Sequence, residues 1–108
     1  MQRKRAKGKA ASPAVATVVV MRLYISGNAP NSVRAIANLD AICKEYLKDG
    51  YKLEIVDVFE QPARALGEGV IVTPSLAKVS PSPAVKVVGN LSDKGNVLLA
   101  LGIEGRAG

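Results

Sequence analysis

The turn that follows the first apolar segment of this chain is where its sequence could support chemistry. Residues 21–34 read MRLYISGNAPNSVR, an apolar run that breaks at Gly27-Asn28-Ala29-Pro30 and then takes on a helical pattern. A thiolate at such a strand-to-helix junction would have its pKa lowered by the helix N-terminus, most effectively in a Cys-x-x-Cys pair. The positions concerned hold Asn, Ala, Pro and Ser, so we predict no thiol chemistry at this junction.

Few other residues are candidates for chemistry. The single cysteine, Cys43, falls on the apolar face of the predicted helix, where cysteine is usually a small buried hydrophobe. Asp57 and Glu60 could in principle share an acid–base site, but Asp57 is predicted to face solvent or to cap a turn at the end of a strand. Gly67 and Gly69 lack the Gly-Lys-Ser/Thr sequence of a phosphate-binding loop. With no histidine and one cysteine, the chain lacks the residues of a zinc site, a Ser-His-Asp triad or a Cys-His pair, and we predict a non-enzymatic protein without a cofactor.

The net charge raises nucleic-acid binding as a second possibility, because the 108-residue chain has a formal charge of +6. Residues 1–14 contain five basic residues and no acidic one, so this segment accounts for five of the six excess positive charges. A basic arm can bind phosphate groups non-specifically. A segment rich in Lys, Ala and Ser is more often disordered. We predict a disordered tail over residues 1–16 and keep nucleic-acid binding through residues 3–9 as an alternative.

The basic start followed by apolar residues superficially resembles a signal peptide. Its apolar part is interrupted by Thr17 and Arg22, however, and it supplies the first strand of the domain. No window approaches the roughly 18 uninterrupted apolar residues of a membrane span. A single cysteine also excludes an internal disulfide. We therefore predict a cytoplasmic protein with no membrane association.

Hydrophobic patterning predicts the elements of the first half of the chain. Residues 17–25 are apolar nearly throughout, as expected for a central strand in a parallel pair, and residues 53–58 form a second strand. The helix between them begins near Pro30, with Asn31 or Ser32 as its cap, and ends at Asp49-Gly50. Its predicted apolar face consists of Val33, Ile36, Leu39, Cys43 and Leu47.

Prolines divide the second half of the chain. Residues 61–69 predict a short helix with Pro62 in its first turn. Thr73-Pro74 interrupts the apolar run 70–72, so the next strand is expected to begin only after this point. A hairpin-like pair and a last helix follow, with Ser92 as the helix cap and an apolar face formed by Val97, Leu98 and Leu101. The order βαβαββα is that of an α/β, thioredoxin-like domain over residues 17–103, and residues 104–108 are predicted to be frayed.

Four sequence blocks also carry a resemblance to a known family: RLYISGNAPNSVRA (22–35), EIVDV (54–58), TPSLAKV (73–79) and GNLSDK (89–94). They occur in this order and spacing in the KaiB family of circadian-clock proteins, and the chain resembles that family over roughly residues 18–103. The resemblance implies a protein that binds the ATPase ring of KaiC and modulates its phosphorylation cycle. It also implies KaiA and clock histidine kinases as further partners. A redox-inactive thioredoxin-like adaptor with another protein partner is the alternative.

The resemblance further implies partner-binding residues, because four basic residues stand where the family has basic residues: Arg22, Arg34, Lys78 and Lys86. Such residues could meet acidic groups on a partner and speed the encounter. The alternative for each of them is a solvated surface charge without a specific role.

KaiB proteins are metamorphic, and the resemblance implies a second state in which the C-terminal half rearranges and a homotetramer forms. Pro74, Pro81 and Pro83 border this half, and slow proline isomerisation could gate the change. Ala100 and Gly102 stand where the family commonly has glycine and aspartate. Alanine favours a helix over glycine by roughly 1 kcal/mol, so we predict that the thioredoxin-like monomer dominates. Gly102 would oppose this only if the helix had to continue beyond it.

Overall fold

The computed structural model describes residues 18–48 and 50–103. In this part of the chain, strands and α-helices follow in the order β1 (Val19–Ile25), α1 (Pro30–Ile42), β2 (Tyr51–Asp57), α2 (Pro62–Gly67), β3 (Ser75–Ser80), β4 (Val85–Val88) and α3 (Lys94–Ala100). A π-helical turn, Cys43–Leu47, continues α1. The predicted order βαβαββα is confirmed. The predicted basic tail and frayed C-terminus lie outside the described residues.

The four strands form one mixed sheet in the order β2-β1-β3-β4. β1 pairs with β2 in parallel, from Val19 opposite Tyr51 to Ile25 opposite Asp57, which confirms the predicted parallel unit. β3 runs antiparallel to β1, and β4 runs antiparallel to β3 at the edge of the sheet. β1 contains two valines and an isoleucine, which favour strands, and is mostly apolar. This composition agrees with its central place between two neighbouring strands.

Side chains of β1 alternate between the two sides of the sheet. Met21 and Leu23 lie in the larger hydrophobic cluster, which also contains the buried residues of α1 and α3. Tyr24 lies in a smaller cluster with Val56 and Ala77. α2 lies on this second side, because its Arg64 binds Glu54, a residue of β2 that stands opposite Arg22 of β1.

The start of α1 differs from the prediction. Its N-cap is Ala29, with Pro30 in the first turn and no side-chain cap. Ser32 is buried instead, and its hydroxyl accepts a hydrogen bond from the backbone N–H of Ser26 over 3.0 Å. Ser32, Ala35, Leu39 and Ile42 are the buried residues of α1. The predicted apolar face is confirmed at four of its five positions, because Leu39 and Cys43 are buried and Ile36 and Leu47 pack against the larger cluster. Val33, predicted to be part of that face, is 51% exposed.

The prolines lie where the pattern places breaks. β3 begins directly after Pro74, and β3 and β4 are joined across Pro81 and Pro83, as predicted. The peptide bonds that precede these three prolines are cis. None of the helices in the described part of the chain combines the length and apolarity needed to cross a membrane.

The helix α3 extends through Ala100 as predicted, but its cap is Asp93 rather than Ser92. The Asp93 carboxylate accepts a hydrogen bond from the backbone N–H of Asn96 over 3.1 Å. Asp93 performs this function because it immediately precedes the first helical residue, Lys94.

Gly102 ends α3. Its φ of +78° lies in the left-handed region, which glycine adopts without steric cost. The N–H of Gly102 donates to the carbonyl of Leu99 over 3.1 Å, and the N–H of Ile103 donates to that of Leu98 over 2.9 Å. This pair of bonds is a Schellman motif. Glycine at position 102 therefore supports a helix that stops after Ala100.

Candidate functional site

The strand-to-helix junction is organised by hydrogen bonds. The carboxylate of Asp57 accepts from the backbone N–H of Gly27 over 3.3 Å and from that of Phe59 over 2.9 Å. The hydroxyls of Ser26 and Thr73 are hydrogen-bonded to each other across the same region. These contacts confirm that Asp57 caps a turn, so its carboxylate has a structural role at this place.

Cys43 has the environment of a core residue. It is fully buried in the larger cluster, and this burial raises the pKa of its thiol from 9.0 to about 11. The negative charge of Asp40 is the second contribution to this increase, and the positive charge of Lys44 partly opposes it. The thiol is therefore protonated at neutral pH, which confirms the prediction of a small buried hydrophobe. Within residues 18–48 and 50–103, no group of three His, Cys, Asp or Glu side chains is arranged to hold a metal ion.

The four basic residues named from the sequence fall into separate places. Arg22 and Lys86 lie on the α2 side of the sheet and converge on Glu68. The Arg22 guanidinium is 3.3 Å from the Glu68 carboxylate, and the Lys86 ammonium donates to the Glu68 carbonyl over 2.6 Å. Arg34 is exposed on α1.

Lys78 was predicted to be either a partner-binding residue or a solvated surface charge. Both predictions assumed an exposed side chain, and they are wrong for this fold. It is only 5% exposed, because it alternates with Ala77 along β3 and shares the side of the sheet that α1 and α3 cover. Its ammonium nitrogen is 3.8 Å from the place where a Cβ on Gly102 would stand. The carboxyl end of a helix is a favourable place for a cation. In this fold Lys78 therefore belongs to the packing between β3 and α3.

Ion pairs on the α2 side connect three elements. The Arg64 guanidinium binds both carboxylate oxygens of Glu54, over 2.5 and 2.8 Å. The Arg22 side chain approaches the same carboxylate to 3.6 Å. The hydrogen bond from Arg64 is the main reason that the pKa of Glu54 lies below its usual value of 4.5. α2 is thus attached to β1 and β2 by a polar network that includes Arg22.

A cavity of about 260 Å³ opens beside this network, between β4 and the loop of residues 70–72. Tyr24, Ala77, Lys86 and Val88 contribute to its walls. Around it, Val72 and Val88 are 52% and 60% exposed, and Ile71 is 92% exposed. We call this surface, made by loop 70–72 and the α2 side of β3 and β4, the open face. A contiguous apolar surface of this kind commonly marks an interaction site.

A protein-family model described as the KaiB domain matches residues 22–103 of this chain. The chain belongs to the KaiB family. Circadian clock protein KaiB3 of Synechocystis sp. is 49% identical over 85 residues, which cover 79% of this chain and 83% of that protein. Circadian clock oscillator protein KaiB of Microcystis aeruginosa is 44% identical over 82 residues, which cover 76% of this chain and 79% of that protein.

Solved structures agree with the thioredoxin-like fold of this KaiB-family chain. The N-terminal domain of Synechococcus elongatus SasA has a TM-score of 0.68 at 23% identity, covering 94% of this chain and 98% of that domain. Chloroplastic thioredoxin z also has a TM-score of 0.68, at 16% identity, covering 81% of this chain and 79% of that chain. The similarity to both structures establishes the fold.

Sequence reasoning missed most of the open face of this KaiB domain. It named Lys86 on this face and Arg22 beside it, but not Ile71 or Val88 on the face or Tyr24 in the cavity wall. A signal was present for Tyr24, because it is the one aromatic residue of β1 and is two residues from Arg22. Nothing in the sequence around Ile71 and Val88 predicts that they are exposed, since apolar residues in this pattern are normally buried.

Proposed function

We propose that the protein is a non-enzymatic clock component that binds the KaiC ATPase ring and modulates its phosphorylation cycle. The observation that carries this proposal is the match to the KaiB domain over residues 22–103, which is nearly the whole described domain. The relatives named above are clock proteins of similar length, and each is matched over most of its sequence. In the same proposal the protein acts in the cytoplasm, with KaiA and clock histidine kinases as further partners.

The open face provides the main contact surface in this proposal. Exposed apolar groups at its centre and cations nearby match the usual composition of a protein interface, which has an apolar core and a polar rim. Ile71 is the most exposed large apolar residue of this surface, at 92%, so a partner that covers it gains apolar burial. Lys86 and Arg22 supply positive charge toward an acidic partner surface. Arg34, on α1, is a separate contact candidate on the other side of the sheet, and Lys78 enters only if it becomes accessible.

The thioredoxin-like monomer is the binding state in this proposal. Ala100 favours α3 through its helix propensity, and Gly102 ends the helix in a conformation suited to glycine. Lys78 packs beside that end. Pro74, Pro81 and Pro83 are the positions around which the C-terminal half would rearrange if the homotetramer formed.

Size-exclusion chromatography with light scattering tests this proposal, first on the full chain alone and then with a KaiC ring and ATP. We expect a monomer that co-elutes with the ring. Ile71→Asp should abolish co-elution, because it places a charge at the centre of the contact. Leu99→Asp is the matched control, since Leu99 is 78% exposed on α3, and it should leave co-elution unchanged.

The outcomes separate the parts of the proposal. A monomer that never co-elutes with the ring would overturn KaiC binding. A tetramer in the absence of the ring would contradict the monomeric state. Loss of binding in Leu99→Asp but not in Ile71→Asp would move the contact to the other side of the sheet. The charge reversals Arg34→Glu and Lys86→Glu then compare the two sides directly, with the larger loss expected for Lys86→Glu.

A further inference from the structure

The cavity on the open face is large enough to hold a small molecule. Its volume is about 260 Å³, and its apolar walls include Val70, Val72, Ala77 and Val88. For comparison, an apolar protein cavity of about 150 Å³ accommodates benzene. The volume is therefore sufficient for a molecule of one or two rings.

Tyr24 provides the first indication of a ligand. The residue has zero exposure and contributes to the cavity wall. Its hydroxyl is the one buried side-chain polar atom without a hydrogen-bond partner within the described part of the chain. Buried hydroxyls nearly always have a partner. The hydroxyl has no exposed surface in the free chain, so an oxygen acceptor on a bound molecule would reach this donor only when the wall at Tyr24 opens.

Lys86 provides the second indication, because it places a cation at an otherwise apolar cavity. Its ammonium group has three donor hydrogens, and one of them is directed to the Glu68 carbonyl. Gly69 also lines the cavity, and a Cβ at that position would stand 3.6 Å from the Lys86 nitrogen. Lys86 is exposed, so its ammonium group is accessible to an anion.

We propose that this cavity binds a small, largely apolar molecule of one or two rings that carries a carboxylate or a comparable anionic oxygen. Its rings would lie against the valines and Ala77. Its anionic oxygen would pair with Lys86, and Tyr24 would supply a second donor. This proposal does not depend on KaiC binding, because the cavity is present in the isolated chain.

A methyl-NMR titration of the full chain with naphthalene-1-carboxylate tests the proposal, with the uncharged naphthalene-1-methanol as the comparison probe. We expect saturable shifts at the methyl groups of Val70, Val72 and Val88. The methyl groups of Leu99, on the other side of the molecule, should not shift.

Three variants identify the groups responsible. Lys86→Met should weaken binding of the carboxylate about tenfold, as expected for the loss of a charge-assisted hydrogen bond, and should leave binding of the alcohol unchanged. Tyr24→Phe should weaken binding of both probes by several fold. Ala77→Leu should abolish binding of both by filling the cavity, and its NMR spectrum verifies that the fold is retained.

Three results would overturn the proposal. The first is the absence of saturable shifts at millimolar probe. The second is probe binding that Ala77→Leu leaves unchanged, which would show that the probe is an adventitious additive only and binds outside the cavity. The third is an unaltered carboxylate affinity in Lys86→Met. If no probe binds while Ile71→Asp still blocks co-elution with KaiC, the cavity belongs to a protein contact and the small-molecule site is wrong.

Discussion

The two sides of the β-sheet differ in how completely they are covered. On one side, α1 and α3 enclose a cluster of twelve buried residues, among them Leu23, Leu39 and Cys43 with zero exposure. On the other side, the buried cluster contains three residues, and Ile71 is left 92% exposed. Burial of apolar surface drives folding, whereas exposed apolar surface is available for binding. The sheet thus separates the part of the protein that stabilises it from the part that we propose recognises partners.

The largest expected effect comes from truncating a buried residue on the covered side. Leu39→Ala should lower the free energy of unfolding by about 2–5 kcal/mol, because Leu39 is fully buried and its removal leaves a cavity. Leu66→Ala makes the same change on α2, where Leu66 is 78% exposed, and should cost less than about 0.5 kcal/mol. Urea unfolding measures both values. Similar losses for the two variants would refute the division between the sides.

Gly102→Ala should have the next largest effect. Alanine at a φ of +78° should cost about 1–2 kcal/mol, so the free energy of unfolding should fall by that amount. Gly67→Ala is the matched control, because Gly67 lies within α2, has no atom within 4 Å of the added Cβ, and does not have a positive φ. It should be neutral or stabilising, by up to about 1 kcal/mol. A stabilising Gly102→Ala would mean that α3 does not end here in solution.

Tyr24→Phe should show that the α2 side tolerates a change in its buried cluster. The substitution removes a buried hydroxyl without a described partner and keeps the ring, so the free energy of unfolding should stay constant or rise by about 1 kcal/mol. Thermal unfolding without added ligand measures this difference. A loss of more than about 1 kcal/mol would indicate that the hydroxyl has a partner in the free protein.

The smallest effect is expected from the ion pairs that attach α2. The hydrogen bond from Arg64 lowers the pKa of Glu54 in the folded state below 4.5. A carboxyl group with a lowered folded-state pKa stabilises the protein above its unfolded-state pKa and loses this contribution as the pH falls through the folded-state value. A change from pH 6 to a pH below 4.5 should therefore lower the melting temperature of Glu54→Gln less than that of the original chain.

The control for this last prediction is Glu60→Gln, which changes an exposed carboxylate outside the Arg64 network. Its pH profile should match that of the original chain. The difference in melting temperature between Glu54→Gln and the original chain should also be small, because exposed ion pairs are screened by solvent. Identical profiles for Glu54→Gln and the original chain would show that the pairs contribute nothing to the attachment of α2.

Local patterning correctly predicted the elements that depend on neighbouring residues. The apolar run before Gly27 forms β1, Pro62 begins α2, and β3 starts after Pro74. The cap positions of α1 and α3 were less well predicted. Ser32 has the right chemistry for a cap, but the Ser26 N–H, brought near by the turn, uses its hydroxyl. At α3, both Ser92 and Asp93 suit the role, and backbone geometry selects Asp93.

The amino-acid sequence by itself determined the order of elements, the absence of a cysteine pair at the junction and the relationship to the KaiB family, since each depends on residue types and their spacing along the chain. Only the tertiary structure decided that Lys78 is buried while Lys86 lies at a cavity. Both are lysines in adjacent strands, and their difference depends on which side of the sheet each faces and on which helices cover that side. The cavity itself is formed by Tyr24 together with residues from 69–77 and 86–88, which the pairing of β1, β3 and β4 brings together, so no local pattern encodes it.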